Sequence, residues 1–388
     1  MQKQKRHFHM DRVYKCAFIN LDIDHVINHK IFKRMNDIKQ LGTISFYNKA
    51  AMHTRYEHSI GVGYLAYEAI KHLASINNKI TEREILCVTL AGLCHDLGHG
   101  PFSHTFDHLL KKNVEFCPEH ELRSQKLFRI IIMDLHKIGL MQDFDDECIL
   151  LTQYFIDNTV FKKYIVNGLT EQQIMDVGYF PPCIDGLFVP GVEQIVSNQF
   201  CKLDVDKLDY IIRDNMVLNG PVNNANNDEN INTLDIIKRC DISDGIWLFD
   251  HRDRLDIYEI VHRRQHQYLT IYLSKRSIIT EAEFARFAKM AFSNDSSLLM
   301  CSELNTEEDI AQFCALTDDA FLQAIFERIE CEDADALMDI INNTSDIVQH
   351  RHINDFVDRT MILKDASKPT RMLEKIRFHT NYNDISNF

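Results

Sequence analysis

The 388-residue chain carries 43 Lys and Arg against 57 Asp and Glu, a formal net charge of −14 with neutral His. That balance excludes a protein that coats nucleic acid through bulk charge, so any polyanion it binds must meet a local basic pocket. At about 150 residues per domain, the length allows two to three structural units and an ample core. Thirteen Gly and seven Pro are too few for a turn-rich sandwich or barrel, and the composition points to an all-α chain.

Residues 1–10 are basic and lack the apolar run of a signal peptide, and they read as a flexible tail. No window approaches about 18 uncharged apolar residues, so the expectation is a soluble intracellular protein, in cytoplasm or nucleus, with no membrane partner. The eleven Cys sit singly, which favours reduced, mostly buried thiols.

From Tyr56 to Leu73, His58, Val62, Leu65, Ala69 and His72/Leu73 recur at steps of three and four, one face of a helix with His58 turned inward. Thr81-Glu82-Arg83-Glu84 is a capping-box pattern, and the apolar run Ile85 to Cys94 reads as a buried helix ending at Gly98 and Gly100. Residues 121–175 alternate helical patterns with acidic breaks such as Asp143 to Glu147, and Pro181-Pro182 marks a turn. A helix is expected over Gln199 to Met216, with Leu203, Asp206, Tyr210 and Arg213 on one broad face. The Asn-rich stretch Val222 to Asn232 reads as an exposed loop. Ser243 to Phe249 reads as a short strand of a small β-ribbon, and Arg254 to Lys275 as helix. Beyond, Ala282–Ala291 and Phe321–Ile341 are helical in period. No internal repeat of fixed period is present.

Eight of the nineteen His fall between His53 and His120, where even scatter would give about three. A lone inward His is most often a satisfied core residue. His58 does not stand alone: His95-Asp96 adds a nitrogen and a carboxylate at the end of a buried helix, where an unpaired charge is costly unless it meets a cation. With Asp206 the set becomes a mixed N/O shell suited to a divalent metal, Fe, Mn, Zn or Mg.

His58, His95-Asp96 and Asp206, in that order and spacing, resemble the metal-binding signature of the HD-domain phosphohydrolases. Longer stretches carry the resemblance further: Lys39 to Gly42, Arg55 to Ala66, Ala91 to His104 and Asp204 to Tyr210 are similar to the catalytic core of the SAM-and-HD-domain deoxynucleoside triphosphate triphosphohydrolases. It covers about residues 11–280, and no SAM domain is expected ahead of it. The fold implied is an HD-domain helical core over 11–280 with a helical C-terminal lobe at 281–388.

The reaction implied is hydrolysis of a dNTP to deoxynucleoside and inorganic triphosphate, by a homo-oligomer, dimer or tetramer. The resemblance makes His58, His95, Asp96 and Asp206 the metal ligands and carries over His99, His104, Asp107 and His120 as catalytic residues. His104 is the acid candidate for the departing 5′ oxygen, a task that an imidazole suits. Arg55, Lys207 and Tyr210 match phosphate-contacting positions. Gln40, Leu41 and Asp214 match the deoxyribose pocket, with Asp214 able to accept from the 3′ hydroxyl. His262 and Gln267 are placed near the nucleotide, and His266 stands where the family has a ring-stacking Tyr.

Departures accompany these matches. Glu259, Tyr268 and Leu269 stand where the family has cations, and Asn28 and Asn36 replace an Asp and an Arg of its guanine-nucleotide activator site. Hydrolysis without added GTP is therefore expected. Two other readings stay open: an HD-type nucleotidase or phosphodiesterase acting on another nucleotide, or a catalytically weak regulator that binds nucleotide or nucleic acid. The second has no need of His99, His104, Asp107 and His120.

Overall fold

A computed structural model describes residues 11–15, 21–113, 119–159, 186–219, 231–293, 297–342, 372–373 and 375–379. The N-terminal tail, the Pro181-Pro182 turn and residues 222–230 of the Asn-rich stretch lie outside them. Helices dominate: α1 (Leu21–Asn28), α2 (Lys30–Lys33), α3 (Ile44–Tyr47), α4 (Arg55–Ile76), α5 (Glu82–Cys94), α6 (His104–Asn113), α7 (His120–Lys137) and α8 (Asp146–Ile156) come first. After these come α9 (Val205–Asn219), α10 (Thr233–Ile237), α11 (Arg254–Gln267), α12 (Lys275–Ala291), α13 (Ser297–Met300), α14 (Glu307–Ala315), α15 (Asp318–Phe326) and α16 (Cys331–Ile341). None of the described helices is long and apolar enough to cross a membrane. The eight described cysteines are free, six of them buried.

The α4–α5 pair is the centre of the core. Both helices start on complete capping boxes, Thr54 with Glu57 and Thr81 with Glu84, which satisfy two backbone donors each. On the facing surfaces His58, Val62, Leu65, Ala69 and Leu73 are buried, as their spacing predicts. Two glycines let the helices meet closely: a Cβ at Gly63 would stand 2.4 Å from Leu93 Cγ, and one at Gly92 would stand 2.8 Å from Ala66 Cβ. α9 packs on α4 and α11, and α8 packs on α5 and α7.

Three boundaries differ from the sequence reading. α9 begins at Val205, later than Gln199, because the Asp204 carboxylate accepts from the backbone N–H of Lys207 (3.1 Å) and of Asn198 (3.2 Å), closing a turn ahead of the helix. The ribbon turns at Asp244-Gly245, both at positive φ (53° and 70°), as a two-residue hairpin requires. It thus splits Ser243 from Phe249: β1 (Asp241–Ser243) pairs antiparallel with β2 (Ile246–Asp250), which pairs parallel with β3 (Phe378–His379). The helix expected over Arg254 to Lys275 stops at Gln267, passes through one π-helical turn, Tyr268–Tyr272, and resumes at Lys275.

The described helices from Lys275 on pack against earlier ones. α12 packs against α3, α6, α15 and α16, and α16 also reaches α3. Two buried charges tie this layer to the loops around α4. Arg34, stacked 4.4 Å over the Phe313 ring, donates to Leu316 O (2.9 Å) on one side and to His99 O (2.9 Å) on the other. Asp318 accepts from Phe102 N (2.6 Å) and Lys39 N (2.8 Å).

Candidate active site

His58 sits on the first turn of α4 and His95 caps α5, so the tight helix pair brings their rings to 5.2 Å between centroids. Asp206, on the first turn of α9, completes a group whose ligand atoms lie within 4.8 Å of one another. Asp96 adds Oδ1 at 3.4 Å from His95 Nε2 and Oδ2 at 3.6 Å from His58 Nε2. Each imidazole is held by its Nδ1: His58 by Asp209 Oδ2 at 2.7 Å, His95 by Gly92 O at 2.8 Å. That fixes the tautomer and turns both Nε2 atoms into the group, where His95 Nε2 is buried without a hydrogen bond. Two imidazole nitrogens, two carboxylates and anchoring partners behind the rings suit a divalent cation. Among the protein groups alone, burial opposes charge on His58, yet hydrogen bonds to Asp206 and Asp209 outweigh it and raise its pKa to about 10.

A second set lies beside the first. His99 stacks on His120 at 3.9 Å and meets the His104 ring edge-on at 4.9 Å. Asp107 Oδ2 is 3.1 Å from His120 Nδ1 and 3.7 Å from His99 Nδ1, while its other oxygen is held by Arg123. Asp96 Oδ1 also stands 3.3 Å from His99 Nε2, so one carboxylate joins the two sets. Burial and the Arg55 cation hold His99 well below the usual imidazole range. His120 moves the other way, to about 9, because Glu121 and Asp107 outweigh its burial. Surrounding protein, then the Arg55 and His120 cations, lower His104, although much of its ring is open to solvent.

His104 owes its place to a turn that costs energy to form. Phe102 and Ser103 both adopt left-handed backbone (φ 54° and 57°) just before α6, which costs a non-glycine residue about 1–2 kcal/mol. Partners hold the turn: Asp318 takes Phe102 N, and Ser103 Oγ donates to Lys39 O (2.7 Å) while accepting from Arg55 Nε (2.9 Å).

Residues 55–139 match the family model of the HD domain. The chain carries an HD domain. Over most of its length it is similar to deoxynucleoside triphosphate triphosphohydrolase SAMHD1 of Danio rerio, 30% identical over 315 residues covering 78% of this chain and 48% of that protein. The SAMHD1 homolog of Dictyostelium discoideum is 29% identical over 351 residues, 87% of this chain and 57% of that protein. Bos taurus SAMHD1 reaches 37% over a shorter stretch of 195 residues, 49% of this chain and 32% of that protein. The chain thus spans about half the length of these relatives, 48% and 57% of the first two.

Residues 40–44, the matched segment and the helices after it line a cavity of about 430 Å³. Of the residues singled out in the sequence, Gln40, Leu41, Arg55, Asp96, His99, His104, His120, Asp206, Lys207, Tyr210 and Asp214 line it. Arg55 is paired with Asp96 (2.5 Å) and Lys207 with Asp204 (2.8 Å). Gln40 Oε1 is buried there without a partner. Both Asp214 oxygens already accept contacts, from Tyr272 OH (2.6 Å) and from His53 Nε2 (2.7 Å).

Three nucleotide contacts expected from the sequence are not brought to the cavity wall. His262 and His266 are exposed on the outer side of α11. Gln267 is buried behind the wall, donating to Ile211 O at 2.8 Å. The reason is helical period: Ile257, Ile260, Val261, Arg264 and Gln267 form the buried face, and positions 262 and 266 fall off it. Glu259 is likewise outside, bonded to Arg263 at 2.9 Å, so this anion does not enter the cavity. Sequence reasoning missed Arg264, Tyr268 and Tyr272, all of which line it. The apolar period through Val261 points to Arg264, but nothing local marks the π-helical turn that aims the two tyrosines.

Proposed function

We propose that the chain hydrolyses deoxynucleoside triphosphates to deoxynucleoside and inorganic triphosphate. One observation carries the reading: Asp96 Oδ1 lies 3.4 Å from His95 Nε2 and 3.3 Å from His99 Nε2. It joins a metal-ligand group to a trio of imidazoles at the edge of one cavity. Such an arrangement serves attack at phosphorus on one side and proton delivery to a leaving oxygen on the other. The relatives' names supply the substrate class.

His58, His95, Asp96 and Asp206 would hold the divalent cation, which when bound supplies positive charge to the phosphoryl oxygens. The remaining work belongs to the protein. Arg55 and Lys207 line the approach of a tail carrying about four negative charges. His120 holds the trio's proton near neutrality, and the left-handed turn sets His104 at the mouth. In the free site the surrounding protein, then the Arg55 and His120 cations, lower the proton affinity of His104, and an arriving polyphosphate offsets those cations and raises it. His104 then has the proton that a departing 5′ oxygen needs. The buried acceptor Gln40 Oε1 and the Leu41 wall face the sugar, where a tight wall disfavours an added hydroxyl.

The test is incubation with the four dNTPs and four NTPs in Mn, Fe or Mg, with a chelator arm, followed by chromatography of the products. Inorganic triphosphate and deoxynucleoside are expected, with loss of both under chelation. Orthophosphate as the first product, or opening of a cyclic nucleotide, refutes the reaction.

A further inference from the structure

The cavity has three fixed side-chain cations, and they are not equivalent. Arg55 is already matched by Asp96 at 2.5 Å and Lys207 by Asp204 at 2.8 Å. Arg264 has no carboxylate within ion-pair distance among the described residues. It is only 8% exposed, its guanidinium lies 4.5 Å over the Tyr268 ring, and its Nε donates to Tyr210 OH at 2.9 Å. The acidic group that bears on its charge, Asp204, is the one bonded to Lys207. The two Nη groups have no protein acceptor among the described residues, yet the side chain lines the cavity.

A guanidinium stays charged at any physiological pH and presents donors in a rigid fork. Burying one without an anion costs several kcal/mol unless a ligand supplies the charge. The side chain is also set in place beforehand: ring stacking fixes its plane and the Tyr210 hydroxyl fixes one edge, leaving the other edge facing the cavity. Tyr210 stands one helical turn beyond Asp206 on α9, and Arg264 touches Tyr210 and Tyr268 whereas Arg55 is bonded to Asp96 of the metal-ligand group. That arrangement suits a phosphate other than the one at the metal-ligand group.

We infer that Arg264 is the cavity's principal anion receptor, taking a non-reacting phosphate of a polyphosphate chain by a forked, charge-assisted pair of hydrogen bonds, and that Tyr268 and Tyr210 are the residues that position it. This deepens the proposed triphosphohydrolase reading and rests on it for the identity of the substrate, though not for the binding of polyphosphate.

The test uses the full chain and inorganic triphosphate as probe, with binding measured by calorimetry in chelator and the KM and kcat for a dNTP measured with metal. Arg264→Gln should weaken inorganic triphosphate by about tenfold or more, the loss expected for charge-assisted bonds. It should raise KM by a similar factor and leave Mn²⁺ affinity unchanged. Arg264→Lys keeps the charge without the fork and should fall between, and it serves alone should the Gln variant not fold. Binding of inorganic triphosphate and KM both within twofold of the parent in a folded variant overturn the inference. If the chain binds inorganic triphosphate through Arg264 but hydrolyses no dNTP, the inference stands and the substrate reading fails. If dNTP hydrolysis is indifferent to Arg264, the reverse holds.

Discussion

Replacing Gly61 with alanine sets two physical effects against each other. On helix propensity alone, alanine inside α4 gains about 1 kcal/mol over glycine. A Cβ at this position, however, would stand 2.1 Å from Arg213 Nη2 and 2.1 Å from Asp209 Oδ1. Neither atom is free to yield: Arg213 donates to Asp209 at 2.8 and 2.9 Å and to Asp11 at 2.7 Å, with all three side chains buried. Overpacking costs about 1–3 kcal/mol and disruption of a buried ion pair about 3–5 kcal/mol. The two overlap here, so the net loss expected after the helical gain is about 2–4 kcal/mol. Asp209 also anchors His58 Nδ1 at 2.7 Å, and loosening such a partner typically costs 10–100-fold in metal affinity. Urea unfolding and Mn²⁺ titration followed by electron paramagnetic resonance measure the two losses separately. Ile70→Ala, which empties a fully buried site on the same helix, is the control: it should lose about 2–5 kcal/mol and keep Mn²⁺ affinity. A Gly61→Ala protein as stable as its parent, with unchanged Mn²⁺ affinity, would refute the reasoning.

Burial lifts the Asp318 carboxyl to about 6, against the pull of the Phe102 and Lys39 backbone N–H groups. The folded chain therefore binds this proton more tightly than the unfolded chain, and the resulting stability is present below about pH 4 and lost as pH rises through about 6. Asp318→Asn removes that slope, so the stability difference between parent and variant should be about 2–3 kcal/mol larger at about pH 4 than at about pH 7; a difference independent of pH contradicts it. His104→Gln should keep metal and lose about a hundredfold or more in kcat, whereas a change confined to KM makes His104 a binding residue. Asn28 and Asn36 spend their amides on Asp24 and on Lys33 O of the same helical stretch. Initial rate and sedimentation should accordingly be the same with and without GTP on a non-guanine dNTP, and a roughly tenfold activation with a rise in mass refutes this.

The convergence of the His/Asp group was legible because its residues ride on strong local patterns: His58 on the apolar face of α4, His95-Asp96 at the end of a capped apolar helix, Asp206 near the start of α9. Helix starts marked by capping boxes were legible for the same reason. What escaped depends on rotation and on tertiary partners. His262 and His266 match a motif but lie off the buried face of α11, while Arg264 lies on it. The start of α9 moved because the Asp204 side chain competes for the backbone donors of its own neighbourhood. Asp318 looked like an ordinary helix-start carboxylate, and its bonds to Lys39 and Phe102 span 279 and 216 residues of chain, beyond any local signal.

Those long spans have a consequence for how the protein is made. His58, His95, Asp96 and Asp206 have all been synthesised by position 206, but the loop bearing Gln40 and the turn bearing His104 gain their shared carboxylate only when Asp318 follows. At about 5–20 residues per second that interval is roughly ten seconds. During it a nascent chain holds all of His58, His95, Asp96 and Asp206 while the cavity walls around Gln40 and His104 lack their fastening. Synthesis thus separates completion of the His/Asp group from fastening of the cavity wall, and a chain arrested before Asp318 would have the first without the second.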